Sequence, residues 1–344
     1  MKLAYRRHML KGVELVGVLM RTNPYWGCKT SMLAILITTV LCCSLASPIA
    51  VAEVKNYRDD WTNSITVTGG RTILVEELSA TWCSSCAEID PYLRQVADAH
   101  GSRITIVTYH PSDGEDAFQP EAADQRIKRM RSINPEVGGT PSFVVESGSL
   151  RVGPNSWPDV QKDILKAETN RQEFSQLSFN VSRDGNEYMA MISDLSLLET
   201  NYSAQLTFML MSHNLAVPDG FFNPGEAYRD RVVVATASCS LSNYTIDNIG
   251  FKSAYSTDCS EDFSVNFSHS GQFSIILIHE ATDSSVATNP NLATTLGLVE
   301  FGYRDVEIVN ETNIMPHIFF TMLTLGAIWV AFDKITAKKS RNSD

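Results

Sequence analysis

Cys83 and Cys86 stand two residues apart in the stretch Ala80-Thr81-Trp82-Cys83-Ser84-Ser85-Cys86. That spacing suits dithiol–disulfide exchange. The first sulfur must be held as a thiolate, since the thiolate is the nucleophile. The second must lie close enough to resolve the mixed disulfide that forms. Half of a zinc site has the same spacing, but no second cysteine pair and no nearby histidine pair completes four ligands. No metal and no cofactor is therefore expected.

The elements that must position this pair are legible on either side of it. Residues 71–78 read as a buried strand and 87–99 as a helix opened by the cysteines. A helix N-terminus directs unpaired N–H groups and a partial positive charge at the first sulfur, which favours thiolate. Further on, 103–109 reads as an apolar strand, 121–131 as a helix, 141–145 and 149–152 as strands, and 157–171 as an amphipathic helix.

With those elements in place, the chain resembles the thioredoxin superfamily over roughly residues 60–172. Trp82 directly precedes the first cysteine, as in that family's WCxxC, and Pro91 falls where its active-site helix carries a kinking proline. Glu77 falls at the family's buried acid, and Gly138-Gly139-Thr140-Pro141-Ser142-Phe143 matches its cis-proline strand. The resemblance implies Cys83 as nucleophile, Cys86 as resolving thiol and Glu77 as the group that handles the proton of Cys86. It also implies that Trp82, Thr140 and Pro141 border a bound substrate chain. Period-2 alternation sends Glu76 and Glu77 to opposite faces, so only one of the two points inward. Ser84-Ser85 matches neither the oxidising nor the reducing members, so the direction of electron flow stays open. His110 ends a strand near the expected site and reads as a solvated loop residue that could approach Cys83. Copper-binding relatives pair such a histidine with a longer cysteine spacing, which makes copper handling a minor alternative.

The net charge of −11 and the absence of a Lys/Arg stripe argue against nucleic acid as a partner. Residues 31–52 carry no charge and end in Ala50-Val51-Ala52, the pattern of a secretory signal peptide or an uncleaved signal anchor. A second uncharged run, 314–332, is long enough for a transmembrane helix. Lys334, Lys338, Lys339 and Arg341 after it would place the tail in the cytoplasm. The expected location is a cell membrane, single-pass, with the main body extracytoplasmic. Of seven cysteines, Cys239 and Cys259 are left to form a structural disulfide in such an oxidising compartment.

From residue 174 short alternating runs separated by Gly, Asn, Asp and Ser turns give seven strands, near 177–181, 188–192, 205–211, 231–237, 263–267, 273–279 and 296–301. They read as an immunoglobulin-like β-sandwich. The expected fold class is thus an α/β thioredoxin-like domain, then an all-β sandwich, then a C-terminal transmembrane helix. Its boundaries are 1–52 extension and signal, 53–172 thioredoxin-like, 173–303 sandwich, 304–313 linker, 314–332 membrane helix and 333–344 tail. The expected activity is membrane-tethered thiol–disulfide exchange on extracytoplasmic protein thiols and disulfides, with a separate redox partner recycling the pair. The alternative is a surface binding or adhesion protein whose sandwich binds a partner and whose cysteine pair is a staple.

Overall fold

A computed structural model describes residues 53–305 except Arg58, Asp60 and Thr62. The first part runs β1 (Glu53–Lys55), β2 (Ile65–Gly69), β3 (Ile73–Leu78), α1 (Ser84–His100), β4 (Ile104–Tyr109) and α2 (Glu121–Ile133). It continues through β5 (Ser142–Val145), β6 (Arg151–Val152) and α3 (Trp157–Asn170). Strands then dominate: β7 (Gln176–Asp184), β8 (Glu187–Ser196), β9 (Ala204–His213), β10 (Leu215–Ala216) and β11 (Tyr228–Arg229). The last are β12 (Val232–Ser240), β13 (Ile246–Ile249), β14 (Ser253–Tyr255), β15 (Ser264–Ser268), β16 (Gln272–Ala281), the short helix α4 (Asp283–Thr288) and β17 (Gly297–Tyr303).

The fold class expected from the sequence is corrected by the strand pairing. No sandwich stands apart from an α/β domain, because one ten-stranded mixed sheet runs β1-β17-β16-β9-β12-β4-β3-β5-β6, with β13 on β12. Its seam is the parallel pairing of Val232 with Thr108, where the Thr108 N–H donates to the carbonyl of Arg231 at 3.0 Å. The exchange runs both ways: β1 pairs with β17, and β2 joins β7 in a five-stranded sheet, β14-β15-β8-β7-β2. All described residues lie in one unit, 50–344. The periodicity that marks strands does not say which strands share a sheet.

Three apolar layers hold this sheet. On one face, α1 and α3 bury Ile89, Leu93, Val96, Trp157, Val160 and Ile164 against Ile73, Val75, Ile104, Ile106, Phe143 and Val145. On the other, α2 lays Ala123, Ile127 and Met130 over Leu74, Leu78, Val107 and also over Met209, Val233 and Ile276. The five-stranded sheet covers the remaining strands through Phe179, Tyr188, Phe208, Phe263, Phe273 and Phe301. The helix α2 therefore straddles both parts of the sheet. Cys239 and Cys259 are joined within this third layer, Cα atoms 5.6 Å apart.

The single-pass membrane placement is also corrected. Among the described residues no helix is long and apolar enough to cross a membrane. The expected spans at 31–52 and 314–332, with the signal and the tail, lie outside the described residues.

Candidate functional site

The strand β3 is buried on both faces and delivers the chain to a tight entry into α1. Cys83 is the N-cap of that helix, and its sulfur accepts from the N–H of Cys86 at 3.0 Å. A sulfur there receives an N–H that helix geometry leaves without a carbonyl partner. The two cysteines are disulfide-bonded with Cα atoms 5.2 Å apart. Both are buried, but Cys83 keeps 5% exposure while Cys86 has none.

The turn before the pair is held from two directions. The Thr81 N–H donates to Asp116 Oδ2 at 2.8 Å, and the Thr81 hydroxyl accepts from the Ala117 N–H at 3.0 Å. The Thr81 carbonyl accepts from Arg229 Nη2 at 3.3 Å. Trp82 is partly exposed, and its indole N–H is committed to Asp113 Oδ2 at 2.8 Å. Beyond the turn, the segment before β11 closes over α1: a Cβ on Gly225 would stand 2.8 Å from the Ala87 Cβ, and Glu226 ion-pairs with Arg94 at 2.9 Å. Glycine is required there by that close approach.

The Thr140–Pro141 peptide bond is cis. β5 pairs antiparallel with β3, Ser142 opposite Leu78, so the same register sets Pro141 across from Ser79, at the entry to the cysteine turn. The Pro141 carbonyl accepts from the Gly153 N–H at 2.8 Å. Thr140 is half-buried, and among the described residues its backbone N–H and C=O have no hydrogen-bond partner.

Glu77 lies on the α1 side of β3 with 2% exposure. One of its oxygens accepts from the Thr108 hydroxyl at 3.1 Å, and the other, Oε1, has no partner among the described residues. Burial, reinforced by the charge of Asp90, pushes its carboxyl well above the ordinary value against the opposing pull of Thr108 and Arg229. Asp90, four residues after Cys86 and so on the same face of α1, is pushed up to about 6 by burial. Arg229, paired with it at 3.4 Å, opposes that rise.

His110 corrects the expectation of a solvated loop histidine. It has no exposure, Phe118 packs against its ring at 5.0 Å, and its Nδ1 is bonded to Asp116 Oδ2 at 2.8 Å. Burial alone would raise Asp116, but the bond and charge of His110, with the N–H groups of Phe118 and Thr81, hold it below the ordinary value.

Sequence reasoning missed Asp90, Asp116 and Arg229. Asp90 carried a usable signal, its spacing of one helical turn from Cys86. Arg229 carried none, since it arrives from β11 through the seam. Among the described residues no group of three or more His, Cys, Asp or Glu is arranged to hold a metal ion.

No family model matches the chain, and no curated protein matches it. Solved structures similar to it include HBP35 of Porphyromonas gingivalis, at 12% identity and a TM-score of 0.46, covering 70% of this chain and 79% of that one. Another is a structural-genomics protein of Agrobacterium tumefaciens, at 13% identity and a TM-score of 0.43, covering 70% and 97%. Likeness at this level says nothing about the activity of this chain.

Proposed function

We propose that the chain is a thiol–disulfide oxidoreductase of protein substrates, the chemistry that its resemblance to the thioredoxin superfamily implies. The observation that carries this reading is the asymmetry of the pair: Cys83 caps a helix N-terminus and keeps 5% exposure, while Cys86 has none. A bridge serving only as a staple has no use for that asymmetry.

In the reducing direction the Cys83 thiolate attacks a substrate disulfide. A Cys83–substrate bond forms, the substrate S–S bond breaks, and one substrate sulfur leaves as a thiolate that takes a proton from water. Cys86 then gives its proton to Glu77 and attacks the Cys83 sulfur. The Cys83–Cys86 bond forms, the second substrate sulfur leaves, and two electrons have passed to the substrate. The oxidising direction is the reverse. The backbone of Thr140 offers a donor and an acceptor to an extended substrate segment, and a separate redox partner resets the pair.

The test is trapping. Cys86→Ser accumulates mixed disulfides through Cys83 with protein substrates, resolved on non-reducing gels, while Cys83→Ser accumulates none. A Cys86→Ser protein that traps nothing overturns the mechanism. Equilibration of the wild type with glutathione then gives direction: about −270 mV marks a reductase and about −120 to −180 mV an oxidase or isomerase.

A further inference from the structure

Glu77 is sealed from solvent, so a proton it takes from Cys86 needs a way out. A cavity of about 20 Å³ touches Glu77, Asp90, His110 and Arg229, with Thr108 and Leu93 in its wall. Five residues of its lining carry a buried atom with no hydrogen-bond partner among the described residues: Glu77 Oε1, Asp90 Oδ1, His110 Nε2, Arg231 Nε and Arg229 Nε, the last ion-paired with Asp90 at 3.4 Å. Orphaned polar atoms are rare in protein interiors, and an ordered water is one way that a group of them around one cavity is satisfied. A volume of this size admits about one, and a buried water wants two to four polar partners. The side chain of Asp90 is 23% exposed, so the far side of this group opens to solvent.

We propose that Asp90 relays the proton between Glu77 and solvent through one water held in this cavity, with Arg229 as the positioning residue that fixes Asp90. The relay rests on the exchange reading above. As Cys86 attacks the Cys83 sulfur, its proton passes to the Glu77 carboxylate. Glu77 then protonates the cavity water, the water gives its own proton to Asp90, and Asp90 releases it to solvent, where the departing thiolate takes it up. No charge is created or lost over the cycle. The charges that face the two acids are Arg229, Arg94, Arg231 and His110 on one side and Glu226 and Asp230 on the other. The raised values of Glu77 and Asp90 agree with two acids that share a proton.

The experiment follows resolution of the Cys83–glutathione mixed disulfide after mixing reduced full-length protein with oxidised glutathione, from pH 5 to pH 9. In Asp90→Asn, resolution at neutral pH slows by about a hundredfold, the low end of what positioned proton transfer contributes, and the acid limb of the profile disappears. The pH profile of Cys83 alkylation by iodoacetamide stays as in wild type, and Asp90→Glu recovers most of the rate. An Asp90→Asn protein that resolves at the wild-type rate overturns the relay. If Glu77→Gln is slow in the same assay, the exchange reading survives that result. A shift of the alkylation profile in Asp90→Asn also overturns it, since Asp90 would then act on the nucleophile. Wild type that never forms the mixed disulfide sinks the exchange reading and the relay together. A measurement on wild type alone stands behind these: resolution in mixed light and heavy water gives a curved proton inventory, and a strictly linear one overturns the relay.

Discussion

Glu76 and Glu77 are neighbours on one strand, equally buried, and they live in opposite electrostatic worlds. On the α2 face, Glu76 accepts from the Tyr109 hydroxyl at 2.9 Å and from Arg126 at 3.1 Å. Arg126 also grips Glu280 of β16 at 2.9 and 3.1 Å, and Glu280 accepts from Thr207 and faces Arg129. No member of this cluster carries an orphaned buried atom. On the α1 face, Glu77 has one hydroxyl partner, a second acid and a shared cation, Arg229, whose Nε meets that acid only as an ion pair at 3.4 Å. The first arrangement locks α2 across the seam. The second leaves a carboxyl whose charge is poorly compensated, so its pKa is raised.

The largest effect comes from breaking the paired face. Arg126→Met strands Glu76 and Glu280 without their shared cation and costs about 3–5 kcal/mol in urea unfolding. A cost under about 1 kcal/mol, the size of an exposed pair, would erase the contrast.

The second prediction uses pH. Burial alone would raise Glu280, but Arg126 and Arg129 outweigh it and hold its carboxyl down at about 2, against an ordinary 4.5. A depressed acid contributes stability that is complete above the ordinary value and lost as pH falls toward the folded one. Wild type therefore loses on the order of 3 kcal/mol between about pH 5 and pH 2 from this group. Glu280→Gln, already weaker at neutral pH, lacks that part of the acid limb.

The smallest effect has the opposite sign. Glu77 is raised, so its contribution is complete below the ordinary 4.5 and is lost as pH rises through the folded value. Glu77→Gln removes that loss and gains about 1 kcal/mol at neutral pH, a usual size for relieving a functional site, while exchange slows. Unfolding curves for Glu76→Gln and Glu77→Gln that shift in the same direction at pH 8 would dissolve the distinction between the faces.

Much of the local structure was legible. The strand before Cys83 and the helix after it stand where apolar runs and the cysteine turn put them, and the seven later strands overlap β7, β8, β9, β12, β15, β16 and β17, three of them starting one residue early. The alternation argument sent Glu76 and Glu77 to opposite faces, but both faces are interior, because α2 and α1 cover one each. What stayed hidden is pairing at a distance. Nothing in Val232 or Arg229 marks them as neighbours of Thr108 and Thr81, since the parallel seam rests on backbone groups that every sequence carries. Short edge strands such as β1, β10 and β14 were missed for a related reason. Two or three residues are too few to show a period.

The pairing of β4 with β12 has a consequence for the making of the chain. A ribosome delivers β4 long before β12, so the outer edge of β4 waits bare while more than a hundred residues are synthesised. Arg229, which steadies both the cysteine turn and Asp90, emerges just ahead of the strand that covers that edge. The cysteine pair is therefore complete as a sequence well before Arg229 and β12 complete its surroundings. A nascent chain carries two cysteines close together but not yet the surroundings that would make them selective.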